Sequence, residues 1–238
     1  MAREPLAYGL QPPEALFDLA RAVRSVIERM MVIDAAPPVL GDAQRTLDAV
    51  ARDLEAVGRR GLQVRMTTEA SPGSEDLRPY YAGDATRWHY NPIFPPVELG
   101  FDAAGRLQGT VTLGLPYEGP PGCAHGGVLS LLLDQLLGQV NLRHGLPAMT
   151  GSLTVRYRRP TPLLVELSLE ADPPERVGAR THMTRGRIRR DGVVTAEAEA
   201  LFVLPDFESR SESLPHLGRA EIERARGSKV HGVDDPES

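Results

Sequence analysis

From Leu16 to Met31 the apolar residues Leu16, Leu19, Ala20, Val23, Val26, Ile27, Met30 and Met31 recur at steps of three and four. That period predicts an amphipathic helix, with Pro12 and Pro13 at its start and Pro37 and Pro38 beyond its end. A second helix is expected from Asp42 as N-cap, with Leu47, Val50, Leu54 and Val57 on one face and Gly58 and Gly61 ending it. Two such segments joined by a short proline-containing link suggest a helical hairpin. Residues 67–96 are then rich in Pro, Gly and polar side chains, with "SPGSED" the expected flexible point and "RWHYNPIFPP" carrying aromatic groups that should dock. The main boundary falls near residues 70–90.

Beyond it the period changes from helical to alternating. "VELGF", the turn "DAAG" and "RLQGTVTLGL" read as a β-hairpin with Gly105 in the turn. One long apolar segment, Val128 to Leu142, follows. The strand candidates "GSLTVRYRRP", "LLVELSLEA" and "ARTHMTRGRIRR" come next, the last joined through "DG" to "VVTAEAEALFVL". Asp-Gly between alternating strands is a strong hairpin signal, because both turn residues must adopt positive φ. Strands on both sides of one apolar helix predict an α+β domain in which an antiparallel sheet covers that helix. The expected division is a helical hairpin extension and linker over 1–90, an α+β domain over 91–206 and a polar tail over 207–238, with a short helix around Arg219 to Arg226.

Composition narrows the class. The 238 residues carry 41% hydrophobic and 25% charged side chains, as in ordinary globular proteins. A formal charge of −5 supplies no overall attraction to nucleic acid or anionic membrane. Nine of the 27 basic residues lie between Arg156 and Arg190, so a local positive surface is the one feature that keeps a nucleic-acid reading in play. The single cysteine, Cys123, excludes an intrachain disulfide and a cysteine-rich zinc site. With no signal-peptide core and no apolar span near ~20 residues, a cytoplasmic protein without membrane insertion is expected.

Within "GPPGCAHGGVLSLLLDQLLG", residues 119–138, one aspartate stands among leucines. The leucines point in every direction around a helical wheel, so the helix should be buried on nearly all sides. Along the face of Asp134 lie Gly127, Ser130, Leu131, Leu137 and Gly138, which leave room beside the carboxylate. Asp134 reads equally well as an internal acid bonded to a neighbouring strand or as a catalytic group. His125, Gly126 and Gly127 precede the leucine run, where the first N–H groups of a helix lack intrahelical partners and can receive a developing negative charge. Paired glycines also mark ordinary turns, and a lone histidine is more often structural.

Taken together, His125, Gly126, Gly127 and, seven residues after that glycine, Asp134 resemble the motif of hotdog-fold acyl-CoA thioesterases of the phenylacetic-acid-pathway type. The preceding hairpin, "MTGSLTVRYRRPTPL" and the paired long strands extend the resemblance over roughly residues 95–205. Thr150 and "YRRPTPL" are similar to the branch that carries an amino-terminal extension. The resemblance implies a hotdog fold, an antiparallel sheet wrapped around one central helix, here with an amino-terminal helical extension. It also implies acyl-CoA as substrate, a homodimer or a dimer of dimers, and no cofactor or metal. One departure stands out. Many members have an asparagine six residues before the histidine, where this chain has Gly119.

The resemblance assigns the oxyanion donor to the Gly126 amide and the base or nucleophile to Asp134, with Thr150 holding the water or the carboxylate. His125 is a further catalytic candidate, which with ordered water has more to do where the family's asparagine is missing. Eight residues of helix span about 12 Å, too far for one helix to present both groups to one carbonyl. The cooperating Gly126 and Asp134 are therefore expected from different subunits across a two-fold axis. Gly127 and Ser130 would line the substrate. In "TVRYRRP" the alternation sends Val155 and Tyr157 toward the core and Arg156 and Arg158 outward, and Arg156, Arg158 and Arg159 are candidates for coenzyme A phosphates against the alternative of a solvated sheet face. A hotdog protein that binds acyl-CoA without hydrolysing it, as a sensor or carrier, is the alternative function.

Overall fold

The computed structural model describes residues 14–57, 90–146 and 148–204. The "SPGSED" stretch, Gly58, Gly61, the first residues of the aromatic segment and the polar tail, with the short helix expected there, lie outside the described residues.

Seven strands form one antiparallel sheet: β1 (Val97–Phe101), β2 (Leu107–Thr112), β3 (Met149–Tyr157), β4 (Glu166–Ala171), β5 (Glu175–Arg176), β6 (Thr181–Arg190) and β7 (Val193–Val203). Their order is β1-β2-β4-β6-β7-β3, with β5 paired to β6. The expected turns are in place: Gly105 has φ 74°, and Asp191 and Gly192 have φ 48° and 78°, the two positive values that the Asp-Gly hairpin requires. Only the two-residue β5 was not expected.

The long apolar segment is a helix, which we call α3 (Gly126–Arg143), and the sheet curls around it. Leu129, Leu132, Leu133, Leu136, Leu137 and Val140 are buried against Leu107, Val111, Leu167, Leu169, Ile188 and Phe202 of the strands. Small residues beneath the helix let it approach the sheet. Ala196, Ala198 and Ala200 alternate inward along β7, and a Cβ on Gly186 of β6 would lie 3.0 Å from Leu137 Cδ2. Buried Asn141 ties helix to sheet, its Nδ2 donating to Leu137 O at 2.8 Å and Thr184 Oγ1 at 2.9 Å. This is the sheet-around-helix arrangement that the resemblance implies.

One expectation about α3 needs correction. The helix is not buried all round: Leu131 is 43% exposed, and Asp134 and Gly138 are half-buried. The sheet ends at edge strand β3, and no described residue covers the helix face beyond it.

The amino-terminal segment forms α1 (Glu14–Met30) and α2 (Pro37–Ala56). The second helix begins at Pro37, ahead of Asp42, because a proline in the first turn has φ already set and needs no N–H partner. Asp42 instead pairs with Arg45 one turn on. The expected hairpin does not close: α2 buries no residue, and Leu47, Val50, Leu54 and Val57 are exposed. Instead α1 docks on the α+β domain. Ala20 is buried, Arg24 donates to Asn91 O at 2.8 Å, and Phe17 meets Tyr90 edge-on with centroids 6.2 Å apart. Beneath it lies the 3-10 turn Leu115–Tyr117, where burial pushes the Tyr117 phenol up and Glu28 adds to that effect, while Arg24 opposes it.

Candidate active site

A tight loop leads into α3. Gly119 N–H donates to Cys123 O at 2.9 Å, Cys123 N–H to Pro120 O at 2.8 Å, and Gly122 N–H to the Glu118 carboxylate at 2.7 Å, with Gly122 at φ 70°. Its stem is closed by His125 N–H donating to Tyr117 O at 2.8 Å. The chain folds back so closely that a Cβ at Gly119 would lie 2.7 Å from His125 Cα. Asparagine therefore cannot enter this loop conformation without moving the backbone of His125, which gives the departure at Gly119 a steric cause. The Cys123 main chain is part of this loop, and its side chain has no hydrogen-bond partner among the described residues.

His125 is the N-cap of α3. Its backbone is extended and its Nδ1 accepts from Gly127 N–H at 3.0 Å. An accepting Nδ1 leaves the proton of the neutral ring on Nε2. The second glycine's amide is thus occupied, whereas the Gly126 N–H has no hydrogen-bond partner among the described residues. It is an orphan donor at the positive end of a helix of 18 residues.

The alternation of β3 marks Tyr157 only as core-facing and gives no sign that it belongs to the site. The Tyr157 hydroxyl donates to Gly126 O at 2.9 Å and lies 2.8 Å from Ser130 Oγ, which itself donates to Gly126 O at 3.1 Å. Ser130 is therefore engaged with the first turn of its own helix. A Cβ on Gly126 would lie 3.2 Å from both Cζ and the hydroxyl oxygen of Tyr157. Alternation in "TVRYRRP" places Tyr157 on the helix side of β3, but at the sheet edge it stays 54% exposed rather than entering the core.

Two turns further along α3, Asp134 is held from the strand: Thr150 Oγ1 donates to Asp134 Oδ1 at 2.9 Å. In an unbroken strand Thr150 would share the outer face of Ser152, Thr154 and Arg156. A β-bulge at Gly151 resets the alternation, so that Thr150 pairs with Phe202 while Ser152 pairs with Leu201. Beside the carboxylate there is space, because a Cβ at Gly138 would meet nothing within 4 Å.

Of the three candidate phosphate ligands, Arg158 is in an ion pair with Glu197, with Nε 3.0 Å from Oε1. Arg159 donates to Val194 O at 3.3 Å. Arg156 is exposed and has no ion-pair partner among the described residues. The basic cluster is largely neutralised: Arg185 bonds Glu199 and Glu175, Arg187 bonds Asp172, and Arg189 bonds Glu170. These carboxylates sit on, or just past the end of, neighbouring strands, a pairing that no linear count of basic residues reveals.

An orphan amide at a helix start, a strand-held carboxylate two turns on, and a sheet wrapped around the helix that bears both define a thioesterase-like hotdog domain. A crystal structure of a thioesterase superfamily protein is 32% identical to this chain, covering 82% of it and 98% of its own chain with a TM-score of 0.64. The chain belongs to the thioesterase superfamily. Acyl-coenzyme A thioesterase THEM4 of Xenopus laevis is 38% identical over 93 residues, 37% of this chain and 40% of its own length. The mouse (Mus musculus) protein of the same name is 39% identical over 51 residues, 21% of this chain and 22% of its own. The match thus spans two fifths or less of these curated relatives. No family model matches the chain.

Proposed function

We propose that the chain hydrolyses acyl-CoA thioesters to free acid and coenzyme A, at a site shared between two subunits and contained in residues 91–206. The observation that carries this reading is the unpaired Gly126 N–H on the same helix as the Thr150-bound carboxylate of Asp134. Superfamily membership and the acyl-CoA thioesterase activity named for the partial relatives support the substrate class.

The chemistry follows from the charges. A thioester oxygen that turns negative needs a donor, and the orphan amide at the positive end of α3 is suited to it. Water delivers the hydroxyl to the carbonyl carbon while its proton passes to Asp134, and collapse breaks the C–S bond and releases the coenzyme A thiol with a proton. In a nucleophilic variant the Asp134 carboxylate adds to the carbonyl carbon, and collapse breaks the C–S bond and expels the coenzyme A thiolate, which takes a proton from solvent. Water then cleaves the anhydride to release the free acid and Asp134. Thr150 orients the carboxylate through the 2.9 Å bond in either case.

Gly126 and Asp134 of one helix stand about 12 Å apart, so the amide facing a given carboxylate comes from a second copy. The open face where that copy would sit carries Leu131, Met149 and Tyr157 at 43%, 48% and 54% exposure, beside the edge of β3 on which no other described strand pairs. Homodimerisation there, alone or as part of a dimer of dimers, completes two equivalent sites. Arg156 and Arg159 are better placed for coenzyme A phosphates than the ion-paired Arg158, and Gly127 lines the substrate by its lack of a side chain. His125 is exposed at the helix start, with Nδ1 taken up by the Gly127 N–H. The paired arginines argue against a nucleic-acid partner. One cysteine in 238 residues suits the reducing cytoplasm.

A panel of aliphatic and aryl acyl-CoA esters, with release of free thiol as readout, tests the reading. Turnover on at least one class is expected. Saturable binding of acyl-CoA with no thiol release across the panel would overturn hydrolysis in favour of a sensor or carrier.

A further inference from the structure

We propose that Tyr157 and Ser130 are positioning residues that set the direction of the Gly126 N–H. The inference deepens the hydrolytic reading above and rests on it for its kinetic consequences. Glycine at the first position of a helix has wide torsional freedom, so an amide that must point at one place needs outside restraint. The peptide unit joining Gly126 to Gly127 is restrained at both ends. Its oxygen accepts from Tyr157 at 2.9 Å and from Ser130 at 3.1 Å, and its N–H donates to His125 Nδ1 at 3.0 Å. The free N–H belongs to the preceding peptide, whose His125 oxygen accepts from Val128 N–H at 2.9 Å and Leu129 N–H at 3.2 Å. The two hydroxyls thus hold Gly126 from its carbonyl side while the helix holds it from the other, and this N–H is the one donor of the glycine pair without a partner among the described residues.

The two hydroxyls act as one device. They lie 2.8 Å apart and both reach the Gly126 oxygen, so loss of either takes one donor from that oxygen and the supporting contact from the other hydroxyl. The tyrosine ring also occupies the place of a side chain on Gly126, with Cζ and the hydroxyl oxygen 3.2 Å from the Cβ position. The glycine that needs restraint and the tyrosine that restrains it are thus sterically matched. Because Tyr157 sits on the edge strand and Gly126 on the helix, the clamp also couples helix start to strand.

The test compares wild type with Tyr157→Phe, Ser130→Ala and the double variant, on the acyl-CoA ester that wild type hydrolyses best. Removing an oxyanion donor costs 10²–10³ in kcat, so loosening one should cost about tenfold. The expected result is about a tenfold fall in kcat for Tyr157→Phe, KM within about twofold, an unchanged melting temperature, and a double variant no worse than the more impaired single one. A raised KM at constant kcat would make Tyr157 a substrate contact, and a lowered melting temperature at constant kcat would make it structural; either overturns the proposal. Nuclear relaxation of the Gly126 amide in ¹⁵N-glycine-labelled protein supplies a readout independent of turnover. The order parameter should drop from the rigid range near ~0.85 toward ~0.6 in Tyr157→Phe. An unchanged value overturns the positioning role even if wild type hydrolyses no ester, an outcome that would sink hydrolysis separately.

Discussion

Thr150 on an edge strand and Asp134 on the central helix are joined by a 2.9 Å hydrogen bond, and the bond exists because one extra residue, Gly151, turns Thr150 inward. The bulge thereby supplies a half-buried carboxylate with a donor from its own chain. The second carboxylate oxygen has no hydrogen-bond partner among the described residues, and one turn on, a Cβ at Gly138 would meet nothing within 4 Å.

Replacing Asp134 by Asn keeps the shape and the acceptor for Thr150 but removes the base. Turnover on the best acyl-CoA ester should fall by about a hundredfold or more, with substrate binding and melting temperature preserved. Steady-state kinetics beside a calorimetric binding titration check this, and activity within a few fold of wild type would remove Asp134 from the mechanism. Thr150→Val, which loses only the orienting bond, should cost about tenfold.

Gly126→Ala keeps the amide donor but places a methyl group 3.2 Å from the Tyr157 ring. The loss should fall on kcat, and the second change Tyr157→Ala should relieve the crowding without restoring turnover, since the clamp is then absent. Kinetics of the single and double variants, with melting curves, distinguish crowding from unfolding.

Mixing Asp134→Asn with a variant disabled at Gly126 by a bulky residue tests whether the site is shared. In a mixed dimer one site carries both defects and the other neither, so activity should return to about half of wild type per heterodimer. Native mass spectrometry measures the heterodimer fraction, with which recovered activity must rise. Mixed dimers without recovery would force the partners of Asp134 to be sought in its own chain.

Introducing at position 119 the asparagine that the family resemblance leads one to expect, Gly119→Asn, should harm this chain, because its Cβ would lie 2.7 Å from the His125 backbone. A lower melting temperature and reduced turnover are expected. A gain in activity with unchanged stability would show that the loop readily takes another course.

His182 links stability to acid. Burial, aided by the neighbouring Arg176 guanidinium, lowers its proton affinity, and its Nδ1 has no hydrogen-bond partner among the described residues. The unfolded chain therefore takes up the proton more readily than the folded one. This contribution to stability is present above the unfolded value, about 6.5, and is lost as pH falls toward the lower folded value. Melting temperatures should decline from pH 7 to 5.5 more steeply in wild type than in His182→Gln.

The linear pattern determined much of this molecule. Alternating residues place β1, β2, β4, β6 and β7, Asp191-Gly192 marks a hairpin, and the leucine run can only be the helix inside the sheet. These are local or one-dimensional facts, since side-chain period and turn chemistry depend on neighbours in sequence. The HGG start and the spacing to Asp134 were legible for the same reason. Tertiary structure alone decided the rest. Whether α1 packs on α2 or on the domain depends on which apolar surface lies nearer, and α1 found the turn at Leu115–Tyr117 while the apolar stripe of α2 stayed exposed. The arginines look like a basic patch along the chain, yet neighbouring strands set most of them against carboxylates. Tyr157 looks like a core residue by alternation, yet strand order puts it at an open edge with its hydroxyl on Gly126. Period two says which face a side chain takes, but only the order of strands says what that face meets, and a single bulged residue can reverse the face itself.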